Sequence, residues 1–142
     1  GAATKLTTED YRRQFETNVF GVIDTIYATL PRLRESKGRL AIVSSVMGRV
    51  GLPASGPYCA SKFAQEAFSS AIRKELRPFE IKVSVVYSGL VDSYFHADPQ
   101  GSINHDDWLK NEDMANAIQY IISQPKHVVI DELMIHPLSQ DY

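Results

Sequence analysis

The stretch 40–63 constrains the fold of this chain more than any other. Leu40, Ala41, Ile42 and Val43 form an apolar run too short for most helices and suited to a strand buried on both faces. Ser44 and Ser45 close it. A loop rich in Gly and Pro follows (Gly48, Gly51, Pro53, Gly56, Pro57) and leads into a helix whose first turn carries Tyr58. Pro57 suits a first helical position, where its missing N–H costs nothing. Tyr58 and Lys62 are four apart, so on a helix they share a face. A hydroxyl at a strand end, a phenol and an ammonium can thus converge at the carboxyl edge of a sheet, where open α/β sheets bind ligands.

Such a trio suits proton transfer to or from an alcohol or carbonyl oxygen. A free tyrosine, with a pKa of about 10, is a poor base at neutral pH. A nearby ammonium favours the phenolate and draws that pKa toward the working range, and Ser45 is placed to hold the substrate oxygen beside the phenol. Tyr-x-x-x-Lys alone more often marks an exposed helical pair than a site. The full pattern is more specific: Ser-Ser-x-x-Gly, then Pro, then Tyr-x-Ala-Ser-Lys, with thirteen positions from Ser45 to Tyr58. This pattern resembles the short-chain dehydrogenase/reductase family, and the resemblance runs over nearly the whole chain but only the second half of the family's fold.

The resemblance implies an NAD or NADP-dependent oxidoreductase acting on an alcohol or carbonyl. Ser45 matches the substrate-orienting serine and Tyr58 the catalytic acid/base. Lys62 matches the lysine that contacts the nicotinamide ribose and lowers the tyrosine pKa. Asn18, in Asn18-Val19-Phe20-Gly21, matches an asparagine that holds a water in the proton relay. Further on, Gly89, Val91 and Ser93 stand where the family carries Pro-Gly-x-x-x-Thr beside the nicotinamide; Ser88 replaces the proline, and Ser93 keeps the hydroxyl of the threonine.

The remainder of the chain supports an α/β fold, a Rossmann-like doubly wound parallel sheet. Thr7 and Asp10 are spaced as a capping box for a helical stretch reaching about residue 35, with Phe15, Val19, Val22, Ile23, Ile26, Leu30 and Leu33 on one apolar face. Pro31 is expected to bend or divide this helix, and Asn18 with Gly21 to mark a local irregularity. Gly38 suits a left-handed cap. The helix from Pro57 to about Pro78 shows Ala60, Ala64, Ala67, Phe68, Ala71, Ile72 and Leu76, a broad surface for the sheet and a partner subunit. Strands are expected at 81–87 and 127–135, with a helix capped by Asn111 running to about residue 124. The alternation of helix and strand gives a parallel sheet.

The 142 residues make one domain's worth of chain, and the formal net charge of −2 offers no case for nucleic acid or an anionic membrane. No apolar run reaches the length of a membrane span. The lone Cys59 reads as a small buried thiol and fits a reducing cytoplasm. His96 and His105, in the irregular stretch 94–108 that the resemblance makes the substrate loop, lack metal-ligand spacing, so no metal is expected. The Gly-rich turn that seats a dinucleotide pyrophosphate is missing from this stretch of sequence. The expectation is therefore the C-terminal part of a single NAD(P)-binding domain, a homodimer or homotetramer when whole. The alternative is a non-catalytic fragment that serves as a subunit-pairing scaffold.

Overall fold

In the computed structural model, residues 1–95, 100–101 and 106–141 are described; His96 and His105 lie outside them. Helix α1 (Thr8–Phe15) opens on the expected capping box: Thr7 Oγ1 accepts from the Asp10 amide, and the Asp10 carboxylate accepts from the Thr7 amide at 2.8 Å. These bonds hold the Asp10 carboxyl below its usual range. The irregularity expected at Asn18 is a π-turn over Glu16–Phe20, closed by the Gly21 amide on the Glu16 carbonyl. Helix α2 (Gly21–Ser36) then runs unbroken through Pro31. Pro31 does not divide it, because the ring sits on the exposed side, where water meets the carbonyl left without a donor. The left-handed cap falls on Lys37, at φ 51, rather than on Gly38. A Cβ at Gly38 would lie 2.9 Å from Leu33 Cδ2, so a larger residue there would displace that side chain.

Strands β1 (Arg39–Ser45), β2 (Lys82–Ser88) and β3 (Glu132–Ile135) form a parallel sheet in that order. Helix α3 (Gly56–Leu76) connects β1 to β2, and α4 (Asn111–Ile122) connects β2 to β3. The register pairs Arg39 with Lys82 at one edge and Ser45 with Ser88 at the other, so both strands end at the same level. Ile26, Ile42, Ile72, Leu76, Ile81 and Val83 form the core between the sheet and α2 and α3. Val86 and Ser84 point to the other face, which α4 covers through the fully buried Ile121.

One burial and two boundaries differ from expectation. Val43 is 46% exposed rather than buried on both faces, because β1 is an edge strand among the described residues. The last strand is four residues, not nine: 127–131 pass over the amino edge of the sheet before pairing with β2 begins. Lys110, not Asn111, occupies the cap of α4, its amide bonded to the Asp113 carboxylate at 2.7 Å. Helix α3 also buries a different face from the one its alanines suggest. Ile72 and Leu76 are buried, whereas Ala67 and Ala71 are exposed and Ser61, Lys62, Gln65 and Ser69 take the inside. No helix among the described residues is long and apolar enough to cross a membrane.

Candidate active site

Ser45 is the last residue of β1, held at the carboxyl edge with its hydroxyl accepting from the Met47 amide at 3.2 Å. Tyr58 and Lys62 enter from the first turns of α3, which the loop after β1 carries back across the same edge. On the far side β2 ends at Ser88 and delivers Gly89, Val91 and Ser93. A cavity of about 260 Å³ is lined by Ser45, Tyr58, Lys62, Gly89, Val91 and Ser93 together. Of the seven residues singled out in the sequence, only Asn18 stands outside it. A neighbouring cavity of about 440 Å³ opens from Met47, Tyr58 and Phe95, where the Tyr58 and Phe95 rings lie 6.0 Å apart.

The electrostatics depart from the simple expectation. Burial pushes the Tyr58 phenol above its ordinary pKa, and a hydrogen bond with Ser45 only partly offsets this. Lys62 is not among the groups acting on the phenol here, and its ammonium is bonded to other partners. It donates to the Val43 carbonyl at 3.2 Å and to Gln65 Oε1 at 3.1 Å, and lies 5.7 Å from the centre of the Tyr58 ring. Burial lowers the pKa of Lys62 itself from 10.5 to about 8. The site therefore holds a neutral phenol beside a lysine poised to give up its proton near neutral pH.

Gln65 is the residue that sequence reasoning missed. It is 3% exposed, accepts from Lys62, and donates from Nε2 to the Asn18 carbonyl at 3.2 Å. The π-turn gives this bond its acceptor, since widening the helix releases carbonyls from the regular ladder. The Asn18 side chain is used differently: its Nδ2 donates to Gln14 Oε1 at 3.1 Å and to Ser61 Oγ at 3.0 Å. Asn18 thus reaches Lys62 through its backbone and a glutamine. A signal existed in the sequence, for Gln65 falls three positions after Lys62, on the face of α3 that Lys62 shares.

Two further anchors were invisible in the sequence. Gln140, in the C-terminal tail, accepts from the Leu90 amide at 2.8 Å, and a Cβ on Gly89 would lie 2.9 Å from the His136 Cα. Gly89 is required because the tail packs against its backbone. Asp92, 7% exposed, bonds Lys110 at 3.3 Å and the Gly101 amide at 3.1 Å, fixing the base of the loop. Beneath the cavity, the buried Tyr87 donates to Glu66 on α3 and accepts from Arg49 at 2.8 Å. Burial and then Glu66 push the Tyr87 phenol well above its usual range, so it remains a donor.

Known proteins resemble this chain in sequence and in fold. The family pattern described as short chain dehydrogenase matches residues 1–101. The mitochondrial D-beta-hydroxybutyrate dehydrogenase of Rattus norvegicus is 46% identical over 81 residues, 57% of this chain and 24% of that protein. Retinol dehydrogenase 16 of Homo sapiens is 45% identical over 84 residues, 59% of this chain and 26% of that protein. Among solved structures, an alcohol dehydrogenase from the archaeon Thermococcus sibiricus, complexed with 5-hydroxy-NADP, superposes with a TM-score of 0.91 at 25% identity, over 100% of this chain and 60% of that one. The matches thus span about a quarter of the curated relatives and about three fifths of the solved chain. By its residue pattern, its parallel sheet and these matches, the chain belongs to the short chain dehydrogenase family.

Proposed function

We propose that this chain supplies the catalytic half of an NAD(P)-dependent oxidoreductase that interconverts an alcohol and a carbonyl. The observation that carries the reading is the cavity at the carboxyl edge lined by Ser45, Tyr58, Lys62, Gly89, Val91 and Ser93 together. The residues present fit a nicotinamide. Hydroxyls and an ammonium face apolar walls at Val46 and Leu90, and the Ser44 hydroxyl in the wall is buried without a partner among the described residues. Gly89, Val91 and Ser93 would hold the ring, Tyr58 and Lys62 its ribose, and the bound cofactor supplies or accepts the hydride.

The chain's own residues move the proton. In the reducing direction Tyr58 Oη donates its proton to the carbonyl oxygen that Ser45 orients, and burial keeps that proton in place until it is needed. Lys62, whose proton is held less tightly than that of the phenol, can return one to the phenolate that results. Gln65 ties Lys62 to the Asn18 carbonyl, the link that the family resemblance assigns to a water. The rest of the dinucleotide would be bound by a preceding Gly-rich segment of the same domain, with this chain contributing its C-terminal strands and helices.

The exposed face of α3 at Phe63, Ala67 and Ala71, with Tyr27 64% exposed on α2, supports assembly as a homodimer or homotetramer. The unpaired Cys59 fits a reducing compartment such as the cytoplasm. The test is Tyr58→Phe in the whole protein. Turnover is expected to fall by a factor on the order of 10² to 10⁴, while NADH or NADPH titration gives an unchanged affinity. Near-normal turnover in that variant would overturn the mechanism.

A further inference from the structure

A third cavity, of about 340 Å³, lies at the opposite, amino edge of the sheet. Seven-residue strands with a rise of about 3.3 Å per residue put it roughly 20 Å from Ser45. Its lining includes Arg77, Lys82 and Lys126 together with Val128 and Val129. We infer that this cavity binds a small phosphate monoester with an apolar body, the phosphate held by Arg77, Lys82 and Lys126 and the body resting on Val128 and Val129.

The charge balance of the lining carries the inference. Its two acids are already committed: Glu80 pairs with Lys37, and Asp131 faces Arg73 at 3.8 Å. Arg77, Lys82 and Lys126 form no ion pair among the described residues, although the chain as a whole is net negative. The cations also crowd one another. Lys82 Nζ donates to the Pro125 carbonyl at 3.3 Å, and Arg39 donates to the same oxygen at 3.2 Å. Loss of solvent and then the charges of Arg39 and Lys126 lower the Lys82 pKa, while Glu80 acts the other way. Capping the carboxyl end of α4 explains Arg39, which also donates to the Ile121 carbonyl, but it makes no use of Arg77 or Lys126.

A dianion beside Lys82 and Lys126 relieves this repulsion, and the guanidinium of Arg77 in the same lining suits phosphate oxygens. An apolar part of the lining distinguishes the cavity from a solvated basic surface: Val128 is half-buried and Val129 40% exposed, so both present surface to a ligand. Its volume falls within the range of small-molecule sites. Nothing in the proton chemistry at the carboxyl edge uses these residues.

Calorimetric titration of the protein with phenyl phosphate at low salt tests the assignment. Saturable binding is expected, weakening about tenfold in the double variant Arg77→Gln/Lys126→Gln and falling as salt is added. Both side chains are exposed, and circular dichroism confirms that the double variant keeps its fold. Equal affinity for phenol would show an apolar pocket only, and equal affinity for phenylacetate would overturn the phosphate assignment. Unchanged affinity in the double variant, or no saturation by about 10 mM ligand, would overturn the site itself.

Discussion

The two halves of α3 solve opposite problems. Its first half buries Ser61, Lys62, Gln65 and Ser69, each bonded within the protein, while its second half buries Ile72 and Leu76 in the apolar core. A polar interior is a costly way to pack a helix, since each buried group must be satisfied and a buried charge is penalised even when bonded. The first half bears that cost where it meets the carboxyl edge of the sheet. The second half, against Ile42 and Val83, gains stability from area alone. The lesson is that stability and chemistry are carried by separate turns of one helix and should respond separately to substitution.

The largest expected effect breaks the apolar half. Ile72→Ala should destabilise by about 2–5 kcal/mol in urea unfolding, with turnover per folded molecule unchanged. Lys62→Met should act with the opposite sign on stability. A lysine whose pKa falls from 10.5 unfolded to about 8 folded is protonated in both states below pH 8, and folding then bears the whole cost of the buried charge. Between those two values the unfolded state holds more protons than the native one, so stability rises with pH across the window. At neutral pH the methionine variant should be more stable by up to about 3 kcal/mol, with that rise abolished and turnover lost. A variant less stable than the parent at neutral pH would contradict this account of Lys62.

Smaller changes sharpen the same division. Gln65→Leu removes an acceptor from the Lys62 ammonium, so the Lys62 pKa should drop below about 8, read directly by nitrogen NMR of labelled lysine. Gln65→Glu should move it the other way, and a pKa indifferent to both variants would reduce Gln65 to packing. The least effect is expected from Ser69→Ala. It removes only the bond to the Gln65 carbonyl at 2.7 Å and should cost about 1 kcal/mol, with no change in the pH profile.

How much could be read in advance depended on whether the cause was local. The capping box at Thr7 and Asp10 and the irregularity at Asn18 were legible because the residues that produce them are adjacent in sequence. The strand at 39–45 and the helix carrying Tyr58 and Lys62 were legible for the same reason. The inward face of α3 was misjudged because alanine at helical spacing fits a surface as well as a core, and the partners that draw Lys62 and Gln65 inside come from β1 and the π-turn. The length of the last strand was overestimated because an apolar run such as Val128-Val129-Ile130 pairs only where a neighbouring strand lies beside it.

By itself, the sequence determined the alternation of helix and strand, the positions of Ser45, Tyr58 and Lys62, and so the kind of chemistry available. These follow from propensities and spacings that act over a few residues. Only the tertiary structure decided that Tyr58 is driven up rather than down, that Lys62 is tied to Val43 and Gln65, and that Gln140 lies against Gly89. Desolvation and hydrogen-bond geometry depend on which distant segments are brought within about 3 Å, and that distance is set by the packing of the sheet and its helices.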